Sequence, residues 1–475
     1  MNLPEDFISY TKALMGDELF STLEQGLTAG ESAVSIRLNP FKCPPSTRIR
    51  HNEGEKDSVR VPWCTETGRI LPFRPNFTFD PLLHAGLYYV QEAASMFVDR
   101  AIRQYVDRQV LMLDLCAAPG GKSTAVRAAL PEGSVLISNE PMRPRANILR
   151  ENILKFGHPD MLVTNNYPQD YRKTHLQFDV LLADVPCSGE GMFRKDTDAI
   201  SEWSVQNVEK CWRLQREIIT DIWDNLKPGG LLIYSTCTFN VHEDEENVEW
   251  IARELGADLL PVETEATWNI TGSLLSDQPM YRFLPGKTQG EGLFMAVLRK
   301  HGEAVKREEK KKGKTRDKGK KNNTKQPVPD ANWLKPGREY TYKTLGENIH
   351  AIPKEWEDVY NEAEQHLRLL HAGVEIGSVK GKDILPGQGL ALSTMLNKEA
   401  FPTVELSYEN AIAYLRKEAI TLPEGTPRGQ VLVCYRGYPL GGMKNLGNRA
   451  NNQYPQEWKI KSTHTPEGDN NLLVW

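Results

Sequence analysis

The chain has 475 residues, too many for one ordinary hydrophobic core, so two or three domains of roughly 100–200 residues each are expected. With 25% charged and 39% hydrophobic residues it is excluded from the disordered and fibrous classes, and a net charge of -5 gives no global pull towards nucleic acid. None of the seven cysteines (43, 64, 116, 187, 211, 237, 434) forms a C-x-x-C pair or a disulfide-like cluster, so free thiols in a reducing, cytoplasmic setting are expected and no metal site is.

In chain order, "MNLPEDFISYTKALMG" carries early acids and lacks the apolar core of a signal peptide, and no run approaches the roughly 20 apolar residues of a membrane span. Residues 1–100 form a first region with two distinctive pieces, "SIRLNP" and "FTFDPLLHAGLYYVQEAASMFVDR". From 101 to 301 strands and helices alternate. "VLMLDLCAAPGG" reads as a buried strand into a glycine turn, "KSTAVRAAL" as a helix and "GSVLISNE" as a second strand. "PMRPRANILRENILKFG" is a helix stopped at Gly157, "MLVTNN" a third strand and "FDVLLADVP" a fourth. A long helix follows, "SVQNVEKCWRLQREIITDIWDNL", closed by "KPGG"; then come a fifth strand, "LLIYSTC", a helix, "EENVEWIARELG", and a last strand, "LFMAVLRK". This alternation predicts an α/β fold, a Rossmann-like, mostly parallel sheet with helices on both faces and its ligands outside the carboxyl ends of the strands. Residues 302–332 are dominated by Lys and Arg, with almost nothing apolar to bury, and are expected to be a basic flexible linker that spaces domains and attracts phosphate. The remainder, 333–475, starts helical and turns strand-like, as in "QVLVCYRGYPLGGMKN".

"DLCAAPGGKS", 114–123, joins the first strand to its helix. Gly120 and Gly121 let the backbone turn sharply and approach a ligand, Pro119 holds the loop, and the helix presents free N–H groups to an anionic group. It matches neither the P-loop nor the dinucleotide fingerprint, and a lone Gly-Gly is more often a plain turn. Two acids change that balance. Glu140 ends strand two, where a carboxylate accepts both ribose hydroxyls of a nucleoside, and Asp184 ends strand four at the ligand's far side. Together these point to S-adenosylmethionine, held by Cys116, Ala117, Ala118, Pro119, Gly120, Gly121, Glu140 and Asp184.

Cys187 and Cys237 each follow a strand that ends at this crevice. A single buried cysteine is usually a small core residue; two of them facing one cofactor crevice call for chemistry. Carbon 5 of a pyrimidine becomes nucleophilic once a thiolate adds at carbon 6. An acid near ring nitrogen 3 shares the developing charge, and a base then strips the carbon 5 proton so that the thiolate leaves. Cys237, Asp184 and Cys187 fit these three roles in some order.

The motifs "LCAAPGGKS", "LLADVPCSGEGMFRKD", "LKPGGLLIYSTCTFNVHEDEENV" and "RFLPGKTQGEGLFMAVLRK" resemble those of the Nop/Sun RNA cytosine-5 methyltransferases, as do "SIRLNP" and "VPWC…HAGLYYVQEAASM". The resemblance runs from about residue 30 to 300, and "GYPLGGMKN…NNQYP" is similar to the family's PUA-like RNA-binding extension. It implies an N-terminal RNA-binding domain (1–100), a methyltransferase core (101–301) and a C-terminal α+β PUA-like region (333–475). It implies Cys237, in the Thr-Cys motif, as nucleophile and Cys187, in the Pro-Cys motif, as the thiol that helps release product. Lys122 follows as an active-site contact and Arg145 as a cofactor contact. The family's acid after strand three is missing: "TNNYPQD" offers Asn165 or Asn166 for the adenine. RNA is the expected partner, 16S ribosomal RNA in particular, and a monomer the expected form. The target base must leave its stack, which is cheapest in single-stranded or junction RNA. Arg37, Arg194 and Lys195 are candidate contacts to the RNA backbone; Trp63, Tyr88 and Tyr89 are read as core aromatics sooner than as base-stacking ones.

Overall fold

A computed structural model of the chain describes residues 2–28, 33–50, 57–302, 328–464, 468 and 470–475; most of the expected linker, 303–327, lies outside the described residues. Five parallel strands make the centre: β1 (Leu111–Asp114), β2 (Val135–Asn139), β3 (Met161–Thr164), β4 (Phe178–Asp184) and β5 (Leu226–Thr236), in the order β3-β2-β1-β4-β5. Beside β5 lies the antiparallel β8 (Leu293–Lys300), whose two halves pair with β6 (Ala257–Leu260) and β7 (Met280–Phe283).

Side chains alternate across a strand, and in this sheet both faces are covered, so the strands are continuously apolar. Met112, Leu136 and Leu182 enter one core, packed by α1 (Phe97–Tyr105), α2 (Gly121–Ala129) and α3 (Arg143–Phe156). Leu113, Ile137 and Leu181 enter the other, packed by α4 (Val205–Ile222), α5 (Glu245–Glu254) and α6 (Glu357–His366). The helix after β1 and the helix after β4 therefore cover opposite faces. Their connections part above the carboxyl ends of β1 and β4, and that gap is the crevice where open α/β sheets take their ligands.

Two boundaries differ from the sequence reading. Helix α4 ends at Ile222, and after a short 3-10 turn the "KPGG" segment opens β5, with a register shift between Leu226 and Leu231. Pro228 has no N–H for the ladder, so the irregularity falls where the chain lacks a donor. The sheet also does not stop at Lys300. β9 (Leu369–Ala372) pairs antiparallel with the edge of β3, and Trp356 and Tyr360 fill the adjoining core. The C-terminal region thus completes the central sheet.

The first region packs a helix, Glu5–Thr28, and a four-stranded antiparallel sheet of Val34–Leu38, Val59–Arg60, Gly68–Leu71 and Tyr88–Val90. Ile36, Leu38 and Tyr88 share one core with Val433, Leu440 and Leu473 of the C-terminal region. Trp63 is buried against Trp268 and Phe283, a packing residue as expected. No helix among the described residues is long and apolar enough to cross a membrane.

Candidate active site

The glycine loop leaves β1 at Asp114 and enters α2 at Gly121. Gly120 has φ of 113°, a left-handed conformation that any side chain would strain, and a Cβ on Gly121 would press on the Tyr89 ring at 3.3 Å. The loop is held from outside: Ala117 N–H donates to Asn139 O (2.8 Å), Arg145 donates to Ala118 O (3.0 Å) and Asn152 to Pro119 O (2.8 Å). Below it Asp114, completely buried, accepts from Ser123 Oγ at 2.6 Å. Burial pushes the Asp114 carboxyl up to about 7, opposed by the Ser123 bond. Cys116 is half-buried at the loop's start, its thiol pushed up by burial and by Glu140.

An acid whose folded pKa lies above its unfolded value binds its proton more tightly in the native state. Stability therefore falls as pH rises through the window from about 4, the unfolded carboxylate, to about 7. Asp114→Asn is isosteric and removes this titration. The expected result is a smaller drop in thermal midpoint between pH 5 and 7.5 than in the wild type; equal drops in both proteins would exclude Asp114 as a source.

Glu140 closes the cofactor side of the crevice. It is 1% exposed; Oε1 accepts from Met142 N–H at 2.9 Å, while Oε2 has no hydrogen-bond partner, with Arg145 Nη1 at 3.6 Å. A buried carboxylate oxygen left unpartnered is costly, and ribose hydroxyls would satisfy it. Asn165 donates to Glu140 O (2.8 Å) and Pro141 O (2.9 Å), bracing the same turn. Asn166 is turned elsewhere: its side-chain oxygen accepts from Arg368 N–H (2.9 Å) next to β9.

On the other side, β4 and β5 are in parallel register with Asp184 opposite Ser235. Asp184 Oδ1 accepts from Ser235 Oγ (2.8 Å) and Oδ2 from Lys122 Nζ (2.8 Å). Burial pulls the Lys122 ammonium down, but Asp184 outweighs it and holds the lysine above its ordinary value. Two residues beyond Ser235 and three beyond Asp184 the thiols meet, Cys187 Sγ to Cys237 Sγ at 3.0 Å. The hydrogen bond to Cys237, together with burial, keeps Cys187 well above the ordinary thiol range, so its proton stays in place beside the second sulfur.

Two acids that the sequence reading passed over hold the thiol loops together. Glu243, fully buried, accepts from Ser188 N–H (3.0 Å), Gln215 (2.7 Å) and Asn240 (2.9 Å). Burial and the neighbouring Glu190 push it up to about 7. Glu190 accepts from Phe239 N–H, Asn240 (3.0 Å) and Trp203 (3.0 Å), and Gly191 N–H donates to Cys237 O at 2.7 Å. A Cβ at Gly191 would lie 2.8 Å from that carbonyl, so the approach of the two loops needs glycine there. The signal was present in the spacing: Glu190 lies three residues after Cys187 and Glu243 six after Cys237.

Two of the expected RNA contacts are corrected. Arg37 is 1% exposed and donates to Gln91 Oε1 (2.8 Å) and to Thr124 Oγ1, locking the N-terminal sheet onto α2. Arg194 pairs with buried Glu291 (2.7 Å) and donates to Gly26 O (2.8 Å), tying the thiol loop to the N-terminal helix. Both guanidiniums are spent on packing between regions. Lys195 is exposed, Tyr88 is buried with its hydroxyl donating to Asp80, and Tyr89 is half-buried against the glycine loop.

This fold, with a glycine loop after β1, an acid after β2 and an acid after β4, defines an S-adenosylmethionine-dependent methyltransferase. Three family models match consecutive parts of the chain: the N-terminal domain of 16S rRNA methyltransferase RsmF over 3–93, 16S rRNA methyltransferase RsmB/F over 104–299 and the methyltransferase RsmF PUA domain over 401–460. The chain belongs to the RsmF family of RNA methyltransferases. It is 29% identical to the ribosomal RNA small subunit methyltransferase F of Vibrio atlanticus and 27% identical to that of Photobacterium profundum, in each case over 96% of this chain and 97% of the relative. Among solved structures it is similar in fold to PH0851 (TM-score 0.55, 22% identity, 63% of this chain and 66% of that one). It is also similar to NSun6 from Pyrococcus horikoshii, solved with SFG (TM-score 0.53, 20% identity, 63% of this chain and 99% of that one). S-adenosylmethionine is its cofactor, and the unpartnered Glu140 oxygen beside the glycine loop fits that molecule.

Proposed function

We propose that the chain methylates carbon 5 of a cytosine in 16S ribosomal RNA through a covalent bond between Cys237 and carbon 6 of the base. The observation that carries this reading is the 3.0 Å approach of the two thiols beside the Lys122–Asp184 pair. The cofactor supplies the methyl group. Cys116 to Gly121 cradle it, Glu140 takes its ribose, Arg145 braces Glu140, and Asn165 is better placed than Asn166 to meet the adenine. Cys237 Sγ attacks carbon 6, and the electron pair moves through the ring to nitrogen 3, which takes a proton passed from Lys122 through Asp184 and returns it as carbon 5 is methylated. Carbon 5 then takes the methyl group. Cys187 acts in the last step: its thiol proton passes to the departing Cys237 sulfur and the Cys187 sulfur takes the proton from carbon 5, so the carbon 5–carbon 6 double bond returns and the bond to Cys237 breaks.

In this reading the first hundred residues and 333–475 bind RNA, the basic segment 302–332 links the latter to the core, and the enzyme works as a cytoplasmic monomer. The test is transfer of labelled methyl groups from S-adenosylmethionine to small-subunit ribosomal RNA, followed by nucleoside mass spectrometry. Label on 5-methylcytosine is expected; label on an exocyclic nitrogen, or none in RNA, would sink the proposal.

A further inference from the structure

Proteins bury their aromatic side chains, and an exposed cluster of them marks a binding surface. Of the Phe, Tyr and Trp residues described, three are exposed: Phe41 (41%), Tyr167 (58%) and Trp475 (49%). Two of those three, Phe41 and Trp475, line one groove of about 550 Å³. Its walls come from regions far apart in sequence: Phe41 and Lys42 from the first region, Lys335 and Lys398 from the start of the C-terminal region, Arg436, Tyr438 and Trp475 from its end.

The chemistry of the groove is aromatic and cationic. Tyr438 and Trp475 meet edge to face at 5.3 Å, which leaves ring faces for other partners. Lys335 Nζ donates to Thr394 O and Lys398 Nζ to Gly437 O, so each ammonium is fixed at the rim with donors to spare. Arg436 stands exposed between them, and Glu399 is the one acidic side chain among the described lining residues. Lys42 is different: its ammonium is used up on Ala85 O (2.8 Å) and Lys155 O (2.6 Å), and burial pulls it down to about 7, so it shapes the floor.

The groove lies beside a second hollow that borders the glycine loop. Phe41 packs edge-on against Phe156 at 5.7 Å. Phe156 in turn lines a smaller hollow of about 240 Å³ together with Tyr89, the ring that abuts Gly121 of the glycine loop. The groove and the hollow beside the glycine loop are thus neighbours, parted by the Phe41–Phe156 contact.

We infer that this groove binds a single-stranded RNA segment flanking the target cytosine, with bases stacked on Phe41 and Trp475 and phosphates on Lys335, Lys398 and Arg436. Stacking platforms beside a positive track are how proteins hold single strands without reading their sequence. The inference rests on RNA being the substrate and names where its flank lies.

The test uses the full chain and a fluorescein-labelled single-stranded RNA of about 12 nucleotides. The F41A/W475A double variant is expected to raise the anisotropy Kd at least about tenfold, since one base stacked on an aromatic ring contributes about 1–3 kcal/mol. K335A/K398A is expected to flatten the slope of log Kd against log salt by about 1.4 through loss of two phosphate contacts. Affinity for S-adenosylmethionine should stay at the wild-type value, because neither pair belongs to the glycine loop or touches Glu140, and the melting temperature should stay at the wild-type value in K335A/K398A while falling modestly in F41A/W475A, where Phe41 leaves Phe156. RNA affinity and salt slope both at wild-type values would overturn the inference and assign the groove to another kind of partner. Should a variant fail to fold, wild-type protein photocrosslinked to thiouridine-substituted RNA decides: peptides containing Phe41 or Trp475 support the groove, and crosslinks confined elsewhere overturn it. The two readings fail separately. Wild-type protein that transfers no methyl group to RNA defeats the proposed function, whereas transfer with unaltered RNA binding by the variants defeats the groove alone.

Discussion

Cys237→Ala is expected to abolish methyl transfer, by about 10⁴-fold or more, while Cys187→Ala traps the enzyme on its RNA. Loss of a nucleophile costs on this scale because the other groups have nothing left to assist. The two sulfurs lie 3.0 Å apart and their loops are clamped by Glu190 and Glu243, so each truncation removes one sulfur and leaves the frame that aims the other. The phenotypes nonetheless differ in kind. Without Cys237 no bond to carbon 6 forms, and denaturing gels of enzyme mixed with ribosomal RNA and cofactor should show free protein only. Without Cys187 the bond forms and methyl transfer proceeds once, but release fails, and a shifted band that survives denaturant should build up to about one per enzyme. Burial and the contact with Cys237 keep the Cys187 proton in place, the state suited to a partner in elimination and unsuited to attack. A persistent adduct in Cys237→Ala and none in Cys187→Ala would reverse the two roles.

Much of this site was legible in the chain because its parts lie at strand ends. Buried parallel strands are short continuous apolar runs, so "VLMLDL", "SVLIS", "FDVLLAD" and "LLIYST" announce themselves, and the residue after each run falls in the crevice. Gly120, Glu140, Asp184, Cys187 and Cys237 were found in this way, and the structure gathers them on one side of the sheet. What the pattern does not carry is partner choice across long stretches of sequence. Nothing in "LRLLHAG" says that Leu369–Ala372 will extend the sheet at β3 instead of joining its own neighbours. Arg37 and Arg194 fail for a related reason. An arginine has the same letter whether its guanidinium faces solvent or a buried acceptor, and only the packing of the first region on the core sets Arg37 against Gln91 and Thr124 and Arg194 against Glu291. Glu190 stands as a lone acid in "CSGE" and Glu243 among several in "HEDEE"; their work is defined by loops some 50 residues apart that meet only after β4 and β5 pair.

Asp184→Asn is expected to lower kcat by about 10²–10⁴-fold with less than about a tenfold change in affinity for S-adenosylmethionine, because in the proposed reaction its carboxylate acts on the base. The substitution keeps the shape of the side chain and the bond from Ser235 Oγ, so β4 and β5 remain in register. It removes the negative charge 2.8 Å from Lys122 Nζ. That has two consequences, and they point the same way. The proton supply to ring nitrogen 3 is broken, which in the proposed reaction raises the barrier to attack by Cys237. Lys122 also loses the main support that outweighs burial, keeping only the weaker ones from Cys237 and Glu92, so its proton is held less tightly than in the wild type. The alkaline limb of the residual activity should therefore move to lower pH, a change that simple loosening of the fold does not produce. A variant that keeps kcat within tenfold of wild type, with its pH profile in place, would show that Asp184 merely anchors Lys122 and that the ring is activated from elsewhere.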